Sequence, residues 1–108
     1  MPRRTDPTPF ARRVYDALVK IPPGRVITYA ALARRIGCNS PRAVGQALRA
    51  NPFAPEVPCH RVIASDLSPG GFQGARGGAS LKRKLGLLAA EGVLFRAGRL
   101  ADPSRLLR

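Results

Sequence analysis

The feature that most restricts the fold is a pair of short helix signals separated by three residues. Thr28 stands as an N-cap before Tyr29 to about Ile36, and Ser40-Pro41 opens a second segment running to about Ala50. Between them lies Gly37-Cys38-Asn39, a tight turn, and Asn51-Pro52 stops the second segment. Two short helices joined by a glycine-containing turn of three residues form a helix-turn-helix pattern, whose second helix is the one that enters a nucleic-acid groove. Ala43, Gly45, Ala47 and Ala50 make that helix slim, and Arg42, Gln46 and Arg49 flank it. A slim helix brings its backbone close to DNA or packs closely on another helix, and both readings stay open.

The remaining elements arrange themselves around this pair. Thr8 and Pro9 predict an N-cap and first turn for a helix to Lys20, with Phe10, Val14 and Leu18 on its buried face. Ile21-Pro22-Pro23-Gly24 ends it, and Arg25-Val26-Ile27 is a short extended piece. A proline-punctuated loop from Phe53 to Pro58 leads to an expected strand, His60 to Ile63. Ser65 to Gly78 is glycine-rich and reads as a loop or wing. Ser80 is expected to cap a last helix, Leu81 to about Glu91, with Leu81, Leu85 and Leu88 inward and Gly92 as its stop. Val93 to Arg108 is expected to supply a strand or short hairpin. The fold class is therefore mainly α with a small β component, a winged-helix-like helix-turn-helix domain. Residues 1–7, proline-rich and basic, are read as a flexible arm before a single domain over 8–108.

Charge narrows the partner. Nineteen basic residues oppose six acidic ones for a net +13, and sixteen of the nineteen are arginine. No Asp or Glu lies between Asp16 and Glu56, a window that holds Lys20, Arg25, Arg34, Arg35, Arg42 and Arg49. An arginine fork suits phosphate oxygens, so a continuous anion-attracting face directed at nucleic acid is expected. Hydrophobic residues make up 44%, enough for one modest core and against a disordered tail. No apolar run approaches the ~20 residues of a membrane span, and the start lacks a secretory segment. Two cysteines without such a segment point to free thiols in a reducing compartment. One His and two distant Cys do not fill a closed metal site.

Pro58-Cys59-His60-Arg61-Val62 carries the chemistry. It holds the chain's single histidine beside one of two cysteines. A free thiol has a pKa of ~8.5, and an adjacent imidazole and guanidinium favour the thiolate that acts as nucleophile. Cys38, in the turn with no imidazole neighbour, reads as structural. Successive strand residues face opposite ways, so Cys59 and His60 meet only across a bend or through water, and Pro58 is placed to force the bend.

Together, Pro22-Pro23-Gly24-Arg25 with Thr28-Tyr29, the arginine-led helix Arg42-Ala43-Val44-Gly45, Asn51-Pro52 and the cysteine motif resemble the DNA-binding, active-site domain of O6-alkylguanine-DNA alkyltransferases. A glycine-rich loop with an aromatic and a helix ending Glu91-Gly92 extend the likeness over roughly residues 9 to 95. The resemblance implies binding to duplex DNA, eversion of O6-alkylguanine and irreversible transfer of the alkyl group to Cys59, once per molecule and without a cofactor. It implies His60 as base through a water, Glu91 orienting the imidazole and Arg42 as the finger entering the stack. Tyr29 would push the phosphate and bond the everted guanine. Ala43, Gly45, Gln46 and Arg49 would face DNA. Asn51, Pro58, Arg61 and Lys84 would support the active site, and Phe72, Gln73 and Gly74 would line the lesion pocket. Phe72 stands where relatives commonly place a tyrosine, and it lacks the hydroxyl that bonds guanine O6.

Three readings follow. The first is alkyl transfer by a monomer, in the cytoplasm or nucleoid of a prokaryote or the nucleus of a eukaryote. The second is a lesion binder like the alkyltransferase-like proteins, which hand the everted base to excision-repair proteins and typically carry Trp or Ala in place of the cysteine. The third is a plain winged-helix regulator with a bystander cysteine. A cysteine protease does not fit a histidine adjacent in sequence to the thiol.

Overall fold

A computed structural model describes residues 8–50, 57–70 and 78–108. Three helices come first. Helix α1, Pro9–Leu18, starts where Thr8 Oγ1 accepts the Ala11 amide at 3.1 Å, with proline in its first turn. Helix α2, Tyr29–Arg35, is capped by Thr28 on the Ala31 amide, and α3, Pro41–Arg49, by Ser40 on the Ala43 amide, both at 3.1 Å. The three pack on one another around Val14, Leu18, Leu32 and Val44, all fully buried. Burial of each such side chain is worth ~1.5–3 kcal/mol, which is what holds helices this short. Tyr15 and Ala11 share the buried face of α1 with Val14 and Leu18, completing a stripe that Phe10, half-exposed, only borders.

A small parallel sheet lies beside the helices. Its central strand is β1, Val26–Thr28. On one side Ile27 and Thr28 pair with Val62 and Ile63 of β2, Val62–Ile63. Helix α4, Gly78–Ala90, follows, and Gly92, at φ +83°, ends it as the Val93 amide returns to the Leu88 carbonyl. Next come β3, Phe95–Arg96, and β4, Arg99–Leu100, an antiparallel hairpin whose two turn residues, Ala97 and Gly98, both have positive φ. A 3-10 turn, Pro103–Arg105, then delivers β5, Leu106–Leu107, to the free side of β1, with Val26 opposite Leu106. Val26, Ile63, Leu88, Val93 and Leu100 form a second core between sheet, α4 and hairpin.

The structure corrects two expectations. The segment from His60 is not a strand throughout: Cys59–Arg61 form a 3-10 turn, because the Cys59 and Arg61 amides bond locally to the Val57 and Pro58 carbonyls at 2.8 and 3.0 Å. Only Val62 and Ile63 extend. Ser80 does not cap α4, which already runs from Gly78. The tail supplies both a hairpin and a strand, and the pairing of β5 with β1 is too distant in sequence for local patterning to reveal. Among the described residues no helix is long and apolar enough to cross a membrane.

Candidate active site and nucleic-acid interface

The sheet brings the two halves of the site together. Thr28 lies opposite Ile63, so Tyr29, the first residue of α2, stands beside the strand that continues from the cysteine turn. Cys59 sits in that turn almost fully buried, packed into the same core as Val44, Ala47 and Leu48. Pro58 precedes the turn, and its carbonyl receives the Arg61 amide. The bend expected from Pro58 is this turn, and it places three candidate site residues, Cys59, His60 and Arg61, on one tight loop.

His60 is buried at 3% exposure, and its Nε2 is 3.0 Å from Glu91 Oε2. Glu91 follows α4 and meets two residues of the cysteine turn at once. Arg61 grips the same carboxylate with both arms of its fork, Nε on Oε1 at 2.9 Å and Nη2 on Oε2 at 2.6 Å. Its third nitrogen, Nη1, donates to the Ile21 carbonyl at 2.7 Å. Burial pushes the Glu91 carboxyl up, but hydrogen bonds from Arg61 and His60, with their charges, outweigh it and hold the group at about 2. An ionised Glu91 accepts only, so the hydrogen of this contact belongs to His60 Nε2, and Nδ1 is the ring's other nitrogen. Arg61 thus holds the carboxylate that in turn holds His60.

Lys84 brings a buried cation whose charge couples to that of Cys59. It lies on α4 between half-buried Leu81 and Leu85 and buried Leu88, itself with no exposed surface, and donates from Nζ to the Val62 carbonyl at 2.7 Å. Burial lowers its pKa to about 8, against an opposing pull from the charge of Cys59. Tyr15 comes from α1. Its hydroxyl donates to the Ala47 carbonyl at 2.6 Å, and its pKa is raised by burial and then by Cys59. Its contribution here was missed in sequence, although its place on the α1 stripe beside Val14 was a signal.

Helix α3 divides by face. Arg42, Gln46 and Arg49 are exposed, while Ala47 is buried and Ala43 and Gly45 are half-buried. Slimness thus serves packing at Ala47, and the exposed row turns Arg42, Gln46 and Arg49 to the surface. Tyr29 is half-buried between two glycines: a Cβ at Gly45 would stand 3.9 Å from its ring, and one at Gly70 only 3.4 Å from it. The ring thus links the slim helix to the start of the glycine-rich loop. In the turn between α2 and α3, Cys38 Sγ accepts the Ser40 amide at 3.3 Å, the structural role expected of it. Asn51, Phe72, Gln73 and Gly74 lie outside the described residues. Among the described residues no group of three or more His, Cys, Asp or Glu is placed to hold a metal ion.

A buried cysteine, a carboxylate-held histidine and a slim arginine-edged second helix define a DNA-binding domain built around a thiol. Residues 9–93 match the family model described as 6-O-methylguanine DNA methyltransferase, DNA binding domain, and the chain belongs to that family. It is 48% identical over 86 residues to the methylated-DNA–protein-cysteine methyltransferase of Methanothermobacter thermautotrophicus, covering 80% of this chain and 46% of that protein. It is 49% identical over 87 residues to the DNA base-flipping protein of Thermus thermophilus, covering 81% of this chain and 55% of that one. The chain thus spans about half the length of these curated relatives. Among solved structures it resembles S. pombe Atl1 in complex with damaged DNA containing O6-carboxymethylguanine, with 32% identity and a TM-score of 0.78. That match covers 92% of this chain and 94% of Atl1.

Proposed function

We propose that this domain binds alkylated duplex DNA, everts O6-alkylguanine beside Tyr29 and transfers the alkyl group to Cys59. The observation that carries the reading is the contact of His60 Nε2 with Glu91 Oε2 at 3.0 Å, on the same 3-10 turn as the thiol. Glu91 holds the ring so that Nδ1 takes the thiol proton, through a water. The sulfur then attacks the alkyl carbon. As the S–C bond forms, the C–O6 bond breaks and its electron pair stays on guanine. The proton released by the thiol returns guanine to its neutral form. Lys84, buried and cationic below about pH 8, supports the thiolate electrostatically. Arg42 enters the stack as the base leaves, offsetting the few kcal/mol that extrusion costs. Arg49 and Gln46 hold the backbone.

A second reading, lesion binding without transfer, is favoured by the near end-to-end match with Atl1. Cys59 favours transfer. Incubation with an O6-methylguanine duplex followed by peptide mass spectrometry separates the two. Transfer gives a one-methylene gain on the Cys59 peptide, lost in Cys59→Ala. Tight lesion binding with unmodified Cys59 would establish the sensor instead.

A further inference from the structure

The network behind His60 has an outer anchor that comes from the tail of the chain, beyond the residues the family model matches. Arg105, in the 3-10 turn before β5, donates from Nη1 to the Gly24 carbonyl at 3.0 Å. Its guanidinium lies over two glycines. A Cβ at Gly24 would stand 3.1 Å from Nη1 and 3.3 Å from the Glu91 carbonyl oxygen. A Cβ at Gly92 would stand 3.3 Å from Nη2. Both glycines have φ above +80°, so neither position readily accepts a side chain, and together they form the notch that the guanidinium fills. The turn from Ile21 to Gly24 is thus held from two sides. Arg61 bonds the Ile21 carbonyl from within while holding Glu91, and Arg105 bonds the Gly24 carbonyl from outside while lying against the residue after Glu91. The remaining charge contact of Arg105, with Asp102 at 3.8 Å, is a loose i,i+3 pair at the surface.

We propose that Arg105 is a positioning residue for the His60–Glu91 pair: by bracketing Gly24 against Gly92 it fixes where the Glu91 carboxylate stands. The role of that pair in transfer rests on the alkyl-transfer reading, but the bracket itself does not. A carboxylate displaced by a fraction of an ångström loosens its bond to Nε2 and frees the imidazole to rotate or change tautomer.

The single histidine makes this measurable without any activity. Long-range 1H–15N spectra report the tautomer and titration of one ring, unambiguously His60. In the wild-type chain the Nε2–H form is expected. Arg105→Ala should populate the Nδ1–H form and speed Nε2–H exchange with water on the order of tenfold, with a similar slowing of methyl transfer to Cys59. Arg105→Lys, which keeps the charge, should recover part of both. Leu107→Ala loosens β5 without touching the guanidinium and serves as the structural control. It should lower the melting temperature and leave the ring spectrum unchanged. The proposal is overturned if Arg105→Ala or Arg105→Gln, whichever folds, keeps the wild-type ring spectrum. It is equally overturned if Leu107→Ala shifts the ring as much. A wild-type protein that transfers no methyl group, yet whose His60 responds to Arg105, would sink the transfer reading and leave the bracket standing.

Discussion

The Tyr15 hydroxyl donates to the Ala47 carbonyl across 2.6 Å in the interior, joining the first helix to the last turn of the arginine-edged one. Replacing Tyr15 by Phe keeps the ring and removes this buried bond to the Ala47 carbonyl. A loss of about 1–2 kcal/mol is expected in urea unfolding, with little change in the slope of the transition. A neutral result would mean that water reaches Ala47.

Ser40→Ala removes the cap of the same helix at its other end, where Oγ holds the Ala43 amide. About 1 kcal/mol should be lost. Circular dichroism melts against Thr8→Ala, which removes the equivalent cap from α1, check whether the cost is general or special to α3.

Acid should weaken the fold through Glu91. Its carboxyl, at about 2 in the folded chain, lies below the usual value of 4.5, so the unfolded chain binds the proton first. The stabilisation is complete above pH 4.5 and is lost as pH falls toward 2, on the order of 2 kcal/mol for a shift of this size at a partly wet site. Glu91→Gln should flatten that part of the stability–pH curve. An unchanged curve would mean the carboxylate is no better held folded than unfolded.

Lys84 should act at the other end of the scale. Its folded pKa, about 8, is below the usual 10.5, so between these values the unfolded chain carries more protons. Stability from this group therefore rises from pH 8 to 10.5 and is lost on the way back down, by on the order of 3 kcal/mol. Lys84→Met in a Cys59→Ala background, which removes the thiol's own titration, should abolish the rise. Its persistence would assign the rise to another group.

The exposed arginines of α3 should separate in kinetics. Arg49→Ala should lower the slope of log affinity against log salt by about one, as loss of a single phosphate contact does. Arg42→Ala should slow transfer from alkylated duplex more than it weakens binding to plain duplex. Equal losses would make Arg42 another phosphate contact.

Much of this was legible in the chain because caps and prolines are local signals. Thr8-Pro9, Thr28 and Ser40-Pro41 each mark the observed start of a helix, since a hydroxyl and the amide it caps lie within three residues. Cys59, His60 and Glu91 were legible through family resemblance, and their meeting across 31 residues was not visible in spacing. His60 and Arg61 were read as strand because the short backbone bonds of the turn leave no periodic trace. Lys84 occupies the apolar stripe with Leu81 and Leu88, but a charged residue there does not reveal its own burial. Arg105 and β5 were illegible because their partners lie about 80 residues away.

That last distance has a consequence for how the molecule is made. Strand β1 has parallel neighbours on both sides, and neither can be supplied by a hairpin. Residues 62–63 come about 35 positions later and residues 106–107 about 80. At ribosomal speeds of roughly 5–20 residues per second, β1 waits roughly 4 to 16 seconds for its second neighbour. Loop closure of that length also makes the sheet a late event in folding. Through this interval Cys59 is already synthesised while β5 is not, so the nascent chain carries this thiol before the sheet is complete.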